Sequence, residues 1–288
     1  MVDFPKSSLR KSRMKDKKTI TISHSLVLIV LVVLACFLFV PPAASQDPKG
    51  PFQVKRVVDG YTIVLADGRH IRYVGINTPE RGEPWWEEAR DYNAQKVGGK
   101  MVTLEFGQVR EDVYGRALAY CSVGDEMVNA ELLKAGLAHL FVLEPITYYH
   151  LFRRLQEEAR AQGLGIWGKD GFTGPLKITT LHADAQGDDR KNLNGEYVRI
   201  CNISPTDLNL RGFSLVDREG HRYRFTKGLL RPGYTALLLT GAGKDVIDEA
   251  DQLRLYWGSR YPIWDNDGDQ ASLRDPHGKL IDTFEYRR

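Results

Sequence analysis

The chain has 288 residues, 42% hydrophobic and 27% charged, enough for two ordinary globular domains. Its formal net charge of +3 misleads, because residues 1–18 carry seven basic side chains against Asp3 and Asp16. The remainder comes to about −2, which excludes a generally basic nucleic-acid binder, so any attraction for phosphate must be local to a site.

Residues 1–18 read as a basic cytoplasmic tail, and residues 19–44 form an uncharged, mostly apolar run, densest between Leu26 and Val40. Basic residues ahead of such a run keep the N-terminus inside and send the rest across the membrane. The run is long enough for a transmembrane anchor, and Ala43-Ala44-Ser45 offers the small residues of a signal-peptide cleavage site. Both outcomes place the rest of the chain outside the cytoplasm, membrane-anchored or secreted. Val33-Leu34-Ala35-Cys36 faintly resembles a lipoprotein box, but the apolar run continues past Cys36 and favours a membrane-buried cysteine. Residues 45–51, rich in Gly, Pro and Ser, read as a linker. Cys121 and Cys201 lack metal-ligand spacing and are expected as free buried thiols.

From residue 52 the pattern is of short strands: 52–58, 62–65, a turn at Ala66-Asp67-Gly68, then 69–76 as one strand. A helix is expected from Pro84 to Val97, stopped by Gly98-Gly99, then strands at 101–106 and 117–122 and helices at 127–135 and 147–162. Five short strands with inserted helices suggest a small, partly open barrel of the oligonucleotide-binding type. On the third strand stands Arg72. Pro79 ends that segment in a turn carrying Glu80, and Arg116 follows a Tyr-Gly turn. Two guanidinium forks can grip phosphate oxygens, and a carboxylate can deprotonate or orient water. The same three side chains would also make a structural ion-pair network.

Residues 52–170 resemble the staphylococcal (thermonuclease-type) nuclease family. The matching stretches are Val57-Val58-Asp59-Gly60-Tyr61-Thr62, Thr78-Pro79-Glu80, Asp112 to Tyr120, Met127-Val128-Asn129, Gly136-Leu137-Ala138 and Gly163-Leu164-Gly165-Ile166-Trp167. The resemblance implies an oligonucleotide-binding barrel and calcium-dependent cleavage of DNA and RNA. Its catalytic arginines and glutamate fall on Arg72, Arg116 and Glu80. The family's two calcium aspartates fall on Tyr61 and Asn77, neither of which brings a carboxylate. Asp59, Asn77, the Thr78 carbonyl and Glu80 remain as oxygen donors, so calcium binding is expected to be weak or absent. Tyr61, Tyr114 and Phe141 are substrate-binding candidates, with packing an equal alternative for Phe141. Trp85 and Trp86 are expected to pack the helix on the barrel.

Residues 171–175 read as a second linker, and residues 176–288 are strand-rich, with strands at 176–182, 196–202, 213–216, 223–225, 235–240, 253–256, 270–274 and 280–286. That count suggests an immunoglobulin-like β-sandwich. Gly195 to Asn202, Asp207 to Phe213, Leu230-Arg231-Pro232-Gly233 and Trp264 to Asp269 resemble the lamin-tail domain family, whose partner here is unknown. The Asp265–Asp269 run lacks the closing glutamate of a calcium loop and reads as an acidic hairpin tip. The expectation is an exported nuclease acting on DNA, RNA or both, with the second domain standing apart from the site. The alternatives are a weakened nuclease-like module that binds nucleic acid or protein, and a surface scaffold working through its lamin-tail domain.

Overall fold

The structure is a computed structural model that describes residues 49–247 and 252–287. The basic tail expected at 1–18, the membrane segment expected at 19–44 and Cys36 lie outside the described residues. Among the described residues, no helix is long and apolar enough to cross a membrane.

The N-terminal half is a barrel. Strands β1 (Phe52–Val57), β2 (Thr62–Leu65) and β3 (His70–Tyr73) form an antiparallel meander. Strand β4 is the two-residue Ile76–Asn77, and helix α1 is Trp86–Val97. Strands β5 (Met101–Glu111) and β6 (Ala117–Val123) form a long hairpin. β5 pairs with β1, and β6 pairs in parallel with β3. Those two pairings close a five-strand ring, so the barrel is closed where the sequence suggested it partly open. Ile63, Leu65, Ile71, Tyr73, Leu104 and Tyr120 fill it, each almost fully buried. After the short β7 (Glu126–Met127) come α2 (Val128–Lys134), β8 (His139–Leu140) and α3 (Tyr149–Ala161).

The single strand expected over 69–76 is broken. Gly75 has φ +80°, where only glycine is unstrained, and a Cβ there would lie 2.9 Å from Ile146 and Phe152. The chain therefore turns after Tyr73, and β4 pairs with β8 instead of continuing β3. A glycine inside a strand pattern is the sequence signal for such a break.

The C-terminal half holds two sheets. The five-stranded one orders β16 (Val246–Ile247), β17 (Leu253–Tyr256), β15 (Thr235–Leu239), β10 (Tyr197–Asn202) and β9 (Leu176–His182). The four-stranded one orders β13 (Arg222–Arg224), β12 (Ser214–Val216), β18 (Gly268–Arg274) and β19 (Leu280–Arg287). β11 (Leu208–Asn209) and β14 (Leu229–Leu230) form a separate pair. Ile178, Val198, Ile200 and Leu238 from one sheet share a core with Leu215, Ala271, Leu273 and Ile281 from the other. This β-rich arrangement is consistent with an immunoglobulin-like domain.

The described residues fall in one compact unit. Val142 donates its N–H to Gly233 O at 2.9 Å, and Tyr149 Oη donates to Pro232 O at 3.0 Å. Phe141 of the barrel half packs with Cys201 and Ile203 of the other in a small apolar cluster. Arg160 stacks on Trp167, 4.1 Å from the ring centroid, and reaches across to the Ile203 carbonyl. Cys121 and Cys201 are both free and buried.

Candidate active site

Arg72 is carried on β3, paired across to Leu118 on β6 and to Thr62 on β2. Its guanidinium lies 4.7 Å from the Tyr61 ring centroid and 5.4 Å from that of Phe141, so two aromatic faces hold it. Nη1 donates to Tyr73 O and Nη2 donates to Asn77 Oδ1 at 3.3 Å. The break at Gly75 is what returns Asn77 to within reach. Burial pulls the Arg72 proton affinity down, yet a guanidinium starts so high that it stays charged.

Glu80 follows Pro79 in the coil beyond β4. Its backbone N–H donates to Glu83 Oε2 at 2.7 Å, and its Oε1 accepts from Tyr61 Oη at 3.0 Å. Burial pushes the Glu80 carboxyl up to about 7; the Tyr61 hydrogen bond works against that, and Asp59 and Glu83 add to it. Tyr61 is itself buried, and desolvation with the Glu80 charge beside it holds its proton firmly in place. Arg116 Nε donates to Asp112 Oδ2 at 2.7 Å, while Asp112 Oδ1 accepts from the backbone N–H of Tyr114 and of Arg116. That carboxylate builds the turn that presents Arg116.

Arg72, Glu80, Arg116, Tyr61, Asn77 and Phe141 line one cavity of about 730 Å³, so the structure brings together most of the residues singled out in the sequence. Tyr114 is also on its wall and is largely exposed. Phe141 is buried against Arg72 and the apolar cluster between the halves, so it packs there while also lining the cavity. Trp85 packs on the barrel core, and Trp86 lies between Arg81 and Arg90 instead.

The oxygen donors do not fit a calcium ion. Asp59 Oδ1 accepts the Tyr61 N–H at 2.9 Å, Asn77 Oδ1 is taken by Arg72, and Glu80 Oε1 is taken by the Tyr61 hydroxyl. Thr78 is buried. Among the described residues no group of three or more His, Cys, Asp or Glu side chains could hold a metal. Calcium gains affinity from ligand charge, and here Tyr61 and Asn77 bring none, while Asp59 and Glu80 each have one oxygen already engaged. The Asp265–Asp269 tip is likewise tied up internally, with Asp269 accepting from Arg218 N and Asp265 N.

The family model for the staphylococcal nuclease homologues matches residues 70–169, and that for the lamin tail domain matches residues 172–288. The thermonuclease of Staphylococcus intermedius is 34% identical, over 49% of this chain and 94% of that protein. The chain belongs to the staphylococcal nuclease family. Endonuclease YncB of Bacillus subtilis is 39% identical to it, over 46% of this chain and 68% of that protein. An uncharacterized endonuclease of Escherichia coli O157:H7 is 36% identical, over 47% of this chain and 88% of that protein. A nuclease with a nucleic acid substrate follows, its nuclease domain continued by a lamin tail domain.

Reading by motif missed residues that the nuclease and lamin tail domains share. Glu83 links Glu80 to Lys177 on β9, whose ammonium also meets Asp282 at 3.1 Å. Burial pulls Lys177 down, but Asp282 and Glu83 more than offset it, so the ammonium stays charged. A lysine inside the buried strand Leu176–His182 was the available signal, since lysine is almost never buried without a partner. Tyr197 and Arg199 of the lamin tail domain also line the nuclease cavity, which the expectation of a domain standing apart from the site did not include.

Proposed function

We propose that the protein is an exported endonuclease of the thermonuclease type, hydrolysing phosphodiester bonds of DNA or RNA outside the cytoplasm. The observation that carries this reading is the placing of Arg72, Arg116 and Glu80 on one cavity, with the Glu80 carboxyl poised near neutrality. In its ionised form Glu80 takes a proton from water as that water attacks phosphorus. Arg72 and Arg116 hold the phosphate oxygens and meet the charge that builds on them in the transition state. Arg72 is prearranged by Tyr61, Phe141 and Asn77, so little reorganisation is needed as substrate arrives. The engaged donors around Tyr61 support a reaction in which calcium contributes little.

The same donors favour a second reading, a slowed enzyme that mainly binds nucleic acid, because Tyr61 occupies one oxygen of Glu80. Cleavage of plasmid and RNA by the purified protein, with calcium, manganese and chelator in parallel, separates the two. The expected result is cutting that survives chelation and falls by roughly a hundredfold or more in Glu80→Gln, the scale of a lost general base. A folded Glu80→Gln protein that cuts as fast as the parent removes Glu80 from that role.

A further inference from the structure

We propose that the lamin tail domain supplies a nucleic-acid-binding wall of the nuclease cavity, with Arg199 receiving a backbone phosphate beside the scissile one and Tyr197 a base. This rests on the nuclease reading for the identity of the ligand.

Strand β10 alternates: Val198 and Ile200 are buried in the domain's own core, whereas Tyr197 and Arg199 are half-exposed and line the cavity that holds Arg72, Glu80 and Arg116. Both side chains are held in place. Arg199 Nη1 donates to Thr235 Oγ1 at 2.9 Å, and that hydroxyl donates to the buried Gln252 Oε1 at 2.7 Å. The Tyr197 ring is stacked on His182, with centroids 4.9 Å apart and planes 3° from parallel. The pair is a cross-strand one, since Tyr197 sits opposite His182 in the sheet. Tyr114, at the tip of the Arg116 turn, lines the same cavity from the nuclease side. The Tyr114–Arg116 turn of one domain and β10 of the other thus both line this open cavity.

Charge gives this wall a purpose. The nuclease domain brings Arg72 and Arg116 to the cavity, but also Glu80, Glu111, Asp112 and Glu144. Asp112 already pairs with Arg116. A polyanionic strand entering a cavity with that balance meets more acid than base, and local attraction must come from further cations. Arg199 is a guanidinium that the second domain brings to the same lining, beside the contacts it makes within the protein. An anchored guanidinium fork suits a phosphate, and an anchored phenol ring suits the face of any base.

The test is binding by the full chain of a fluorescent single-stranded oligonucleotide whose phosphorothioate linkages resist cleavage, followed by anisotropy over a salt series. Arg199→Ala is expected to raise Kd by about five- to tenfold and to lower the salt slope by about one, as for a lost phosphate contact. Arg199→Lys is expected to keep the slope and lose part of the affinity. Tyr197→Leu is expected to raise Kd by about fivefold or more without changing the slope, as for a lost stacking contact. Unchanged affinity and slope in Arg199→Ala and Tyr197→Leu, with melting temperatures like the parent's, would overturn the proposal. If Arg199→Ala does not fold, Arg199→Lys decides: affinity equal to the parent's overturns the proposal. A parent that binds the oligonucleotide yet cuts no natural strand refutes hydrolysis and leaves this wall standing. A parent that binds none refutes both.

Discussion

Glu80 is pulled in two directions, and its pH behaviour follows from the balance. Burial raises its carboxyl from the usual 4.5 to about 7, and the hydrogen bond from Tyr61 favours the ionised form. Only the ionised form can accept a proton, so kcat/KM is expected to rise with pH through a limb near 7. Tyr61→Phe removes the donor that favours ionisation, so the limb moves to higher pH. Stability has the opposite sign. The folded protein keeps a proton that the unfolded chain gives up between pH 4.5 and 7, so the ionised Glu80 costs stability as pH rises through that window. Glu80→Gln should therefore melt higher than the parent above pH 7 and gain nothing below pH 4.5. Equal melting temperatures at both ends would mean that burial does not govern this carboxyl. At this scale Arg72, Glu80 and Arg116 were legible as candidates, and one cavity holds all three. Their hydrogen bonds were not, since nothing local says that the Tyr61 hydroxyl crosses to a residue 19 positions away.

The elements that position those residues turn on Gly75. It ends β3 after Tyr73, redirects the chain into β4, and so sets Asn77 beside Arg72. Gly75→Ala carries two costs, a backbone held at φ +80° and a Cβ 2.9 Å from Ile146 and Phe152. Together they are expected to destabilise the protein by about 2–4 kcal/mol. Gly68, at φ +92° in the β2–β3 turn, has open space where its Cβ would be. Gly68→Ala therefore reports backbone strain alone, and its loss should be smaller, near 1 kcal/mol. Denaturant midpoints of the two variants separate crowding from strain, and equal losses would mean that Ile146 and Phe152 give way. Short strands rich in β-branched residues with turn-forming residues ahead of them, such as Thr62–Leu65 and Leu176–His182, were legible to the residue. The two-residue pairings β4–β8 and β11–β14 were not, because each is made by a tertiary partner and too few residues show any period.

In the whole molecule the two domains meet at a buried cluster of charge that reaches the site. Lys177 of the lamin tail domain lies between Asp282 of its own domain and Glu83 of the nuclease domain. Glu83 in turn accepts the backbone N–H of Glu80. The sequence places these residues about a hundred positions apart, beyond a linker, so no spacing rule could join them. Lys177→Met keeps the length of the side chain and removes its charge, leaving the Glu83 and Asp282 carboxylates with no cation between them. Removing one partner of a buried ion cluster is expected to cost about 3–5 kcal/mol. Glu83 is then free to turn from Glu80, and kcat should fall in whatever fraction stays folded, with KM changing less. The neutral triple variant Lys177→Met, Glu83→Gln, Asp282→Asn tests the cause. It removes all three charges, so most of the stability should return. The amide oxygen of Gln can still accept from Glu80 N, so kcat should recover with it. A Lys177→Met protein as stable and as fast as the parent would show that the lamin tail domain does not brace Glu80. Stability that returns in the triple variant without kcat would assign the bracing to the charge of Glu83 rather than to its hydrogen bond.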